Sequence, residues 1–194
     1  MKSQNSKVPI FVISGPSGSG KTTLVDLLIK SKPLKDRLIK SVSITTRPKR
    51  QEEKPGRDYF FVSQARFKQL KSSKKILEWT RYLGYYYGTP KSFIDKYLAL
   101  NISPVLCLDV KGALRIKKLY PGNAKTIFVL PPKVQELRSR IEKRSKLSAT
   151  EIKRRLSIAR KEIRLHKFYD YKVVNRDLRQ ASKCLQGIVL NELK

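Results

Sequence analysis

The chain has 194 residues, of which 44 are Lys or Arg and 15 are Asp or Glu, a formal net charge of +29. That length predicts one domain, with insertions, large enough to bury a core without disulfide staples. Its 40% apolar and 30% charged residues argue against wholesale disorder, and no apolar run approaches the ~18 residues of a membrane span.

Met1 to Lys7 is basic and polar. Val8 to Ile13 is apolar but too short for the core of a signal segment, and it runs straight into glycines. The expected location is therefore the cytoplasm, with no membrane contact. Lys7 to Ser14, rich in β-branched residues, predicts a buried parallel strand. Gly15 to Gly20 is loop, and Lys21 to Lys30 has Leu24, Leu27 and Leu28 at helical spacing. Residues 41 to about 97 break the rhythm. They are rich in polar residues, Tyr and Gly, with short strands predicted at Tyr59–Val62 and Ile76–Trp79, and read as an inserted β-rich lobe. Val105 to Asp109 predicts another buried strand with an acid at its carboxyl end, and Ala124 to Leu130 a third, closed by Pro131-Pro132. Lys133 to Lys143 is helical, as is the very basic stretch Thr150 to Lys167, where Ile152, Leu156, Ala159 and Ile163 form one stripe. Tyr171 to Val174 is a last strand and Leu178 to Leu193 a last helix. Strands alternating with helices predict an α/β fold with a parallel sheet flanked by helices.

Two cysteines, Cys107 and Cys184, make no disulfide framework, and no Cys/His spacing suggests a metal centre. The single histidine, His166, lies in the basic helical stretch, so a Ser-His-Asp triad has little to draw on. The charge excess points to an anionic partner: nucleotide, nucleic acid or acidic surface. The basic residues are spread along the whole chain, so they also read as ordinary surface solvation. Incidental affinity for RNA or another polyanion is expected in either case.

Gly15-Pro16-Ser17-Gly18-Ser19-Gly20-Lys21-Thr22 fits G-x-x-x-x-G-K-[ST]. Its glycines let backbone N–H groups turn inward around phosphate oxygens, and the helix start adds partial positive charge. The Lys reaches the β- and γ-phosphates and the Thr hydroxyl ligates Mg²⁺. The strand before it and the helix after it are the context this motif needs. A second cluster holds Ser43, Arg47 and Arg50, followed by Glu53, Asp58 and Tyr59. Two Arg three apart, with hydroxyls and a Tyr, can clamp another phosphate through charge-assisted hydrogen bonds. Glu78-Trp79 and Gly84-Tyr85-Tyr86-Tyr87-Gly88-Thr89 extend the cluster, although those tyrosines also suit the packing of a small β lobe.

The phosphate loop, Ser41 to Arg50, Gly56-Arg57-Asp58-Tyr59, Leu77-Glu78-Trp79, Tyr86-Tyr87-Gly88-Thr89 and Asp109-Val110-Lys111-Gly112-Ala113 together resemble guanylate kinases, in order and in spacing. Pro131-Pro132, Arg140 to Leu156, and Tyr171 to Asn175 extend the resemblance to about residues 8 to 190. It implies a P-loop nucleoside monophosphate kinase fold and the reaction MgATP + GMP (or dGMP) giving ADP + GDP (or dGDP). The implied division is core 1–40, GMP-binding lobe 41–97, core 98–143, helical lid 144–156 and core 157–194. The resemblance gives the GMP phosphate to Arg47, Arg50, Tyr59 and Tyr87, and guanine to Ser43, Glu78 and Thr89. It gives the ATP phosphates to Lys21 and the loop residues, Mg²⁺ to Thr22, and a place near metal and nucleotides to Asp109, with a water between it and the metal as one arrangement. Arg144 and Arg155 would swing in with the lid and Asn175 would lie near adenine. Lys21, Arg47, Arg144 and Arg155 are thus the expected catalytic set, and phosphoryl transfer, which needs alignment and positive charge, asks for no protein nucleophile.

Cys107 departs from the family by standing where the first acid of an Asp-x-Asp pair is usual, and Ser145 by replacing the Gly after the lid arginine. Arg81-Tyr82-Leu83 and Tyr85 are unusual for the lobe. A kinase for another nucleoside monophosphate and a non-catalytic binding module are the alternatives. Glu78 with Ser43 and Thr89 argues against the first, and the intact Lys21-Thr22 with both lid arginines against the second. Monomer and homodimer both remain open.

Overall fold

The computed structural model describes residues 8–142 and 148–194. A five-stranded, wholly parallel sheet has the order β2-β7-β1-β8-β9, formed by β1 (Ile10–Ser14), β2 (Leu38–Lys40), β7 (Ser103–Cys107), β8 (Ala124–Leu130) and β9 (Tyr171–Val174). Every residue of β1 is buried, as a strand covered on both faces must be. Side chains alternate across a strand. Phe11 and Ile13 point to one face, joining Leu24 and Leu28 of α1 (Lys21–Lys30) and Leu185 and Val189 of α7 (Leu178–Glu192). Ile10 and Val12 point to the other, joining Ile94 of α3 (Lys91–Ala99) and Ala113 and Ile116 of α4 (Val110–Leu119).

A second sheet has the order β4-β3-β6-β5, from β3 (Ser43–Thr45), β4 (Tyr59–Phe61), β5 (Ile76–Tyr82) and β6 (Tyr85–Pro90). β5 and β6 form a hairpin whose central residues Leu83 and Gly84 both have positive φ, 50° and 90°, as a tight turn between twisted strands requires. The unusual Arg81–Tyr85 stretch is therefore a hairpin tip. The lobe is not β alone: α2 (Gln64–Ser72), capped by the Ser63 hydroxyl accepting from Arg66 N, stacks Phe67 on Tyr86 with ring centres 5.2 Å apart. α5 (Val134–Glu142) packs on α6 (Ala149–Arg164) through Leu137, Ile141 and Ala159. The basic helix is shorter than expected. It closes at Arg164 into a 3-10 turn, Leu165–Phe168, which contains His166. The expected strand at Val105–Asp109 likewise stops at Cys107, and Asp109 instead caps α4.

Candidate functional site

In a parallel sheet the space beyond the strands' carboxyl ends is where ligands sit, and two loops meet there. β1 ends in the phosphate loop. β7 continues one pairing beyond its last residue, Leu108 N donating to Ile13 O at 3.1 Å, which sets Asp109 beside that loop. The Asp109 carboxylate accepts from Gly112 N at 2.8 Å, so it is held as the cap of α4. α1 has no side-chain cap: its capping residue is Gly20, at φ 86°. Its first amides therefore stay available to an external anion. A Cβ at Gly20 would lie 2.3 Å from Asn175 Nδ2, so only glycine fits. Asn175 follows β9 and donates through Nδ2 to Ser19 O at 2.8 Å, fastening the loop from behind.

One cleft of about 330 Å³ spans the phosphate loop and the lobe. Gly15, Ser17, Lys21 and Thr22 line one end, and Ser43, Arg47, Arg50, Tyr59, Glu78 and Tyr87 the other. Asp109 and Arg155 line the cleft as well. Pro16, Gly18, Ser19, Gly20, Thr89 and Asn175 are not part of this lining. Pro16 O accepts from Lys21 Nζ at 3.4 Å. Arg144 and Ser145 lie outside the described residues.

Most of these side chains are held before any ligand arrives. Arg47 Nη2 donates to Glu53 Oε1 at 2.6 Å, Arg50 N donates to Glu53 Oε2 at 2.9 Å, and the Arg47 guanidinium sits 5.5 Å from the centre of the Tyr59 ring. Burial opposes both charges of the Arg47–Glu53 pair. Their mutual hydrogen bond and attraction outweigh it, raising the pKa of Arg47 and lowering that of Glu53. Tyr59 is pushed up to about 12 by burial, then by Cys107 and Tyr87, so its hydroxyl remains a donor. Arg155 is paired with Glu151 one turn back on α6 at 2.8 Å.

Glu78 is the most confined acid, 4% exposed. Its Oε1 accepts from Thr89 Oγ1 at 2.6 Å. Burial lifts its pKa to about 7, against the Thr89 hydrogen bond, and the charge of Asp109 adds to the rise. Sequence reasoning missed Glu162, which lines the cleft from α6. It too is raised to about 7, by burial and Asp109 against the opposing charge of Lys21. The available signal was an acid flanked in sequence by Arg160, Lys161 and Arg164 on a basic helix. Tyr82, Leu83 and Tyr85 of the hairpin tip also reach the cleft, as does Cys107.

Thr22 and Asp109 both supply oxygen donors to the lining of this cleft. Mg²⁺ takes one or two protein oxygens and fills its shell with water and substrate phosphate, so this donor set fits it. Among the described residues no group of three or more His, Cys, Asp or Glu could hold a metal ion by itself.

A glycine-rich loop between β1 and α1, facing a lobe that brings Arg47 and Arg50 to the same cleft, is the layout of a P-loop phosphotransferase. The family model described as guanylate kinase matches residues 7–192. A guanylate kinase of Wolbachia sp. subsp. Brugia malayi is 39% identical over 183 residues, covering 94% of this chain and 92% of that protein. That of Thermotoga maritima is 40% identical over 186 residues, covering 96% and 88%. The crystal structure of guanylate kinase from Anaplasma phagocytophilum superposes with a TM-score of 0.81 at 31% identity, over 97% of this chain and 87% of that one. The chain belongs to the guanylate kinase family, the ATP:GMP phosphotransferases.

Proposed function

We propose that the cleft takes GMP or dGMP in the lobe and MgATP on the phosphate loop, and moves the γ-phosphoryl group between them to give GDP or dGDP and ADP. The observation that carries this reading is the buried Glu78, held by the Thr89 hydroxyl and lining the same cleft as Lys21 and Thr22. Guanine offers N1–H and an N2 amino group on one edge. A carboxylate accepts both, while the hydroxyl of Ser43 serves O6 and that of Thr89 steadies the acid. Arg47, Arg50, Tyr59 and Tyr87 hold the GMP phosphate. Lys21 and the amides from Gly15 to Thr22 hold the ATP phosphates, with Asn175 on the adenine side of the loop it fastens. Thr22, and Asp109 directly or through water, hold Mg²⁺, which when bound neutralises charge on the phosphates. Arg155, together with Arg144, closes over the transferring group from a lid at 144–156. The lobe at 41–97 brings GMP to the core segments 1–40, 98–143 and 157–194. Closure excludes water, which would otherwise take the phosphoryl group.

Both substrates belong to the intracellular nucleotide pool, which favours the cytoplasm. No helix among the described residues is long and apolar enough to cross a membrane. A coupled ADP-release assay over a panel of nucleoside monophosphates tests the reading. A site built for guanine's hydrogen bonds rejects a base lacking them by ~10⁴–10⁵. GMP and dGMP are expected to be substrates, IMP much poorer for want of N2, and AMP nearly inert. Equal efficiency with AMP and GMP would refute the base assignment.

A further inference from the structure

Gly112 is the third residue of α4, and its backbone is ordinary helix with no positive φ. Nothing in its conformation calls for glycine, which is a poorer helix former than alanine. Space does call for it. A Cβ built there would lie 2.6 Å from Glu78 Oε2, 3.1 Å from Glu78 Cδ and 3.3 Å from Asp109 Oδ1. The Glu78 carboxylate is thus fixed at both oxygens: Oε1 takes the Thr89 hydroxyl at 2.6 Å, and Oε2 rests against the bare Cα of Gly112. The Gly112 amide is meanwhile committed to Asp109 Oδ1 at 2.8 Å, as part of the cap of α4.

We propose that Gly112 is a specificity-determining positioning residue, whose missing side chain forms the seat that aims the Glu78 carboxylate into the cleft. It touches no substrate and acts through Glu78. The inference rests on Glu78 being the guanine acceptor. At 2.6 Å the clash with Glu78 is far more severe than the 3.3 Å approach to Asp109, so a methyl group at this position displaces the base-reading acid first.

The test is steady-state kinetics of Gly112→Ala with each substrate varied in turn, alongside its urea midpoint. The KM for GMP is expected to rise at least ~10-fold, as for losing a hydrogen bond to a charged group. The KM for MgATP, bound at the other end of the cleft, should stay within about a factor of two. The urea midpoint should change little, because the helix preference of alanine offsets part of the cost of displacing the Glu78 carboxylate. Glu78→Asp draws the carboxylate back by one methylene and makes room for the new methyl. The double variant Gly112→Ala/Glu78→Asp should therefore show a higher kcat/KM for GMP than Gly112→Ala alone. An unchanged GMP KM in Gly112→Ala overturns the proposal. So does a parallel rise in both KM values with a lowered urea midpoint, or a double variant that suffers both losses in full. If Gly112→Ala yields no folded protein, the double variant decides: folded, GMP-active protein supports the seat and its absence overturns it. Glu78→Gln separates the two layers. If it leaves GMP/AMP discrimination intact, the guanine reading itself has failed. If it abolishes discrimination while Gly112→Ala does nothing, only the seat has.

Discussion

Burial holds the Glu78 carboxyl at a pKa of about 7, while guanine's donors require its ionised form. Affinity for GMP should therefore improve as pH rises from 6 to 8, and Glu78→Gln should flatten that rise, leaving only the titration of the GMP phosphate. Stability should move the other way. A carboxyl whose folded pKa lies above its unfolded value contributes stability that is present below the unfolded pKa and lost as pH climbs through the folded one. Glu78 and Glu162, both at about 7, should thus make the ligand-free protein less resistant to urea between pH 5 and 8. Glu78→Gln should remove part of that slope, and an identical slope in the variant would refute the assignment. At the other end of the cleft, Lys21→Met should lower kcat by at least ~10²-fold, the scale of one lost donor to a developing charge. GMP affinity should hardly change, because the proposed assignment sets Lys21 on the ATP side. Single-turnover rates with titration of GMP separate the two effects. The two halves of this site differ in how they can be read from sequence. Lys21 and Thr22 sit in a contiguous motif with a physical reason for each position. Glu78 and Tyr87 come from β5 and β6 and Arg47 from the loop after β3, and residue types alone grouped them loosely until the family resemblance gave each a place. Glu162 stood out in neither way.

Elements with a long apolar pattern were legible. β8 occupies Ala124–Leu130 as expected. β2 and β3, three residues each, are too short for any period to show, and they exist because neighbouring strands pair with them. α2 buries only Phe67, so its amphipathic signal is one residue deep and its segment reads as part of a β-rich lobe. The ends of helices are written more locally. α3 is followed by Asn101 at φ 55° and α2 by Lys74 at φ 55°. In both places the chain leaves its helix through the left-handed region, where Asn is tolerated and Lys is strained. Lys74 is exposed. Lys74→Gly should therefore stabilise the protein by about 1 kcal/mol, read as an upward shift in the urea midpoint. Asn101→Gly should do less.

The charge of the whole molecule is unevenly placed. Glu53, Asp58, Glu78, Asp109, Glu151 and Glu162 all line the cleft, six of the 15 acids in a chain of net charge +29. The rest of the surface is correspondingly more basic. We propose that it binds RNA or heparin without sequence preference, with affinity falling steeply as salt rises because each neutralised phosphate releases counterions. Elution from heparin at a salt concentration no higher than that of a neutral protein of similar size would show the basic residues to be too dispersed. The acids around the cleft further predict that bound polyanion leaves the GMP KM unchanged, which the coupled assay can check with RNA added.

The tie from Asn175 Nδ2 to Ser19 O joins residues 156 positions apart. The first functional loop to leave the ribosome is therefore the last to be finished. A nascent chain that has extruded the whole Gly15–Thr22 motif still lacks the side chain that fixes its shape, and lacks α7, which covers α1. The ability to retain ATP thus reports on completed synthesis rather than on the motif's presence. Fragments halted before residue 175 should emerge blind to nucleotide, however intact their signature.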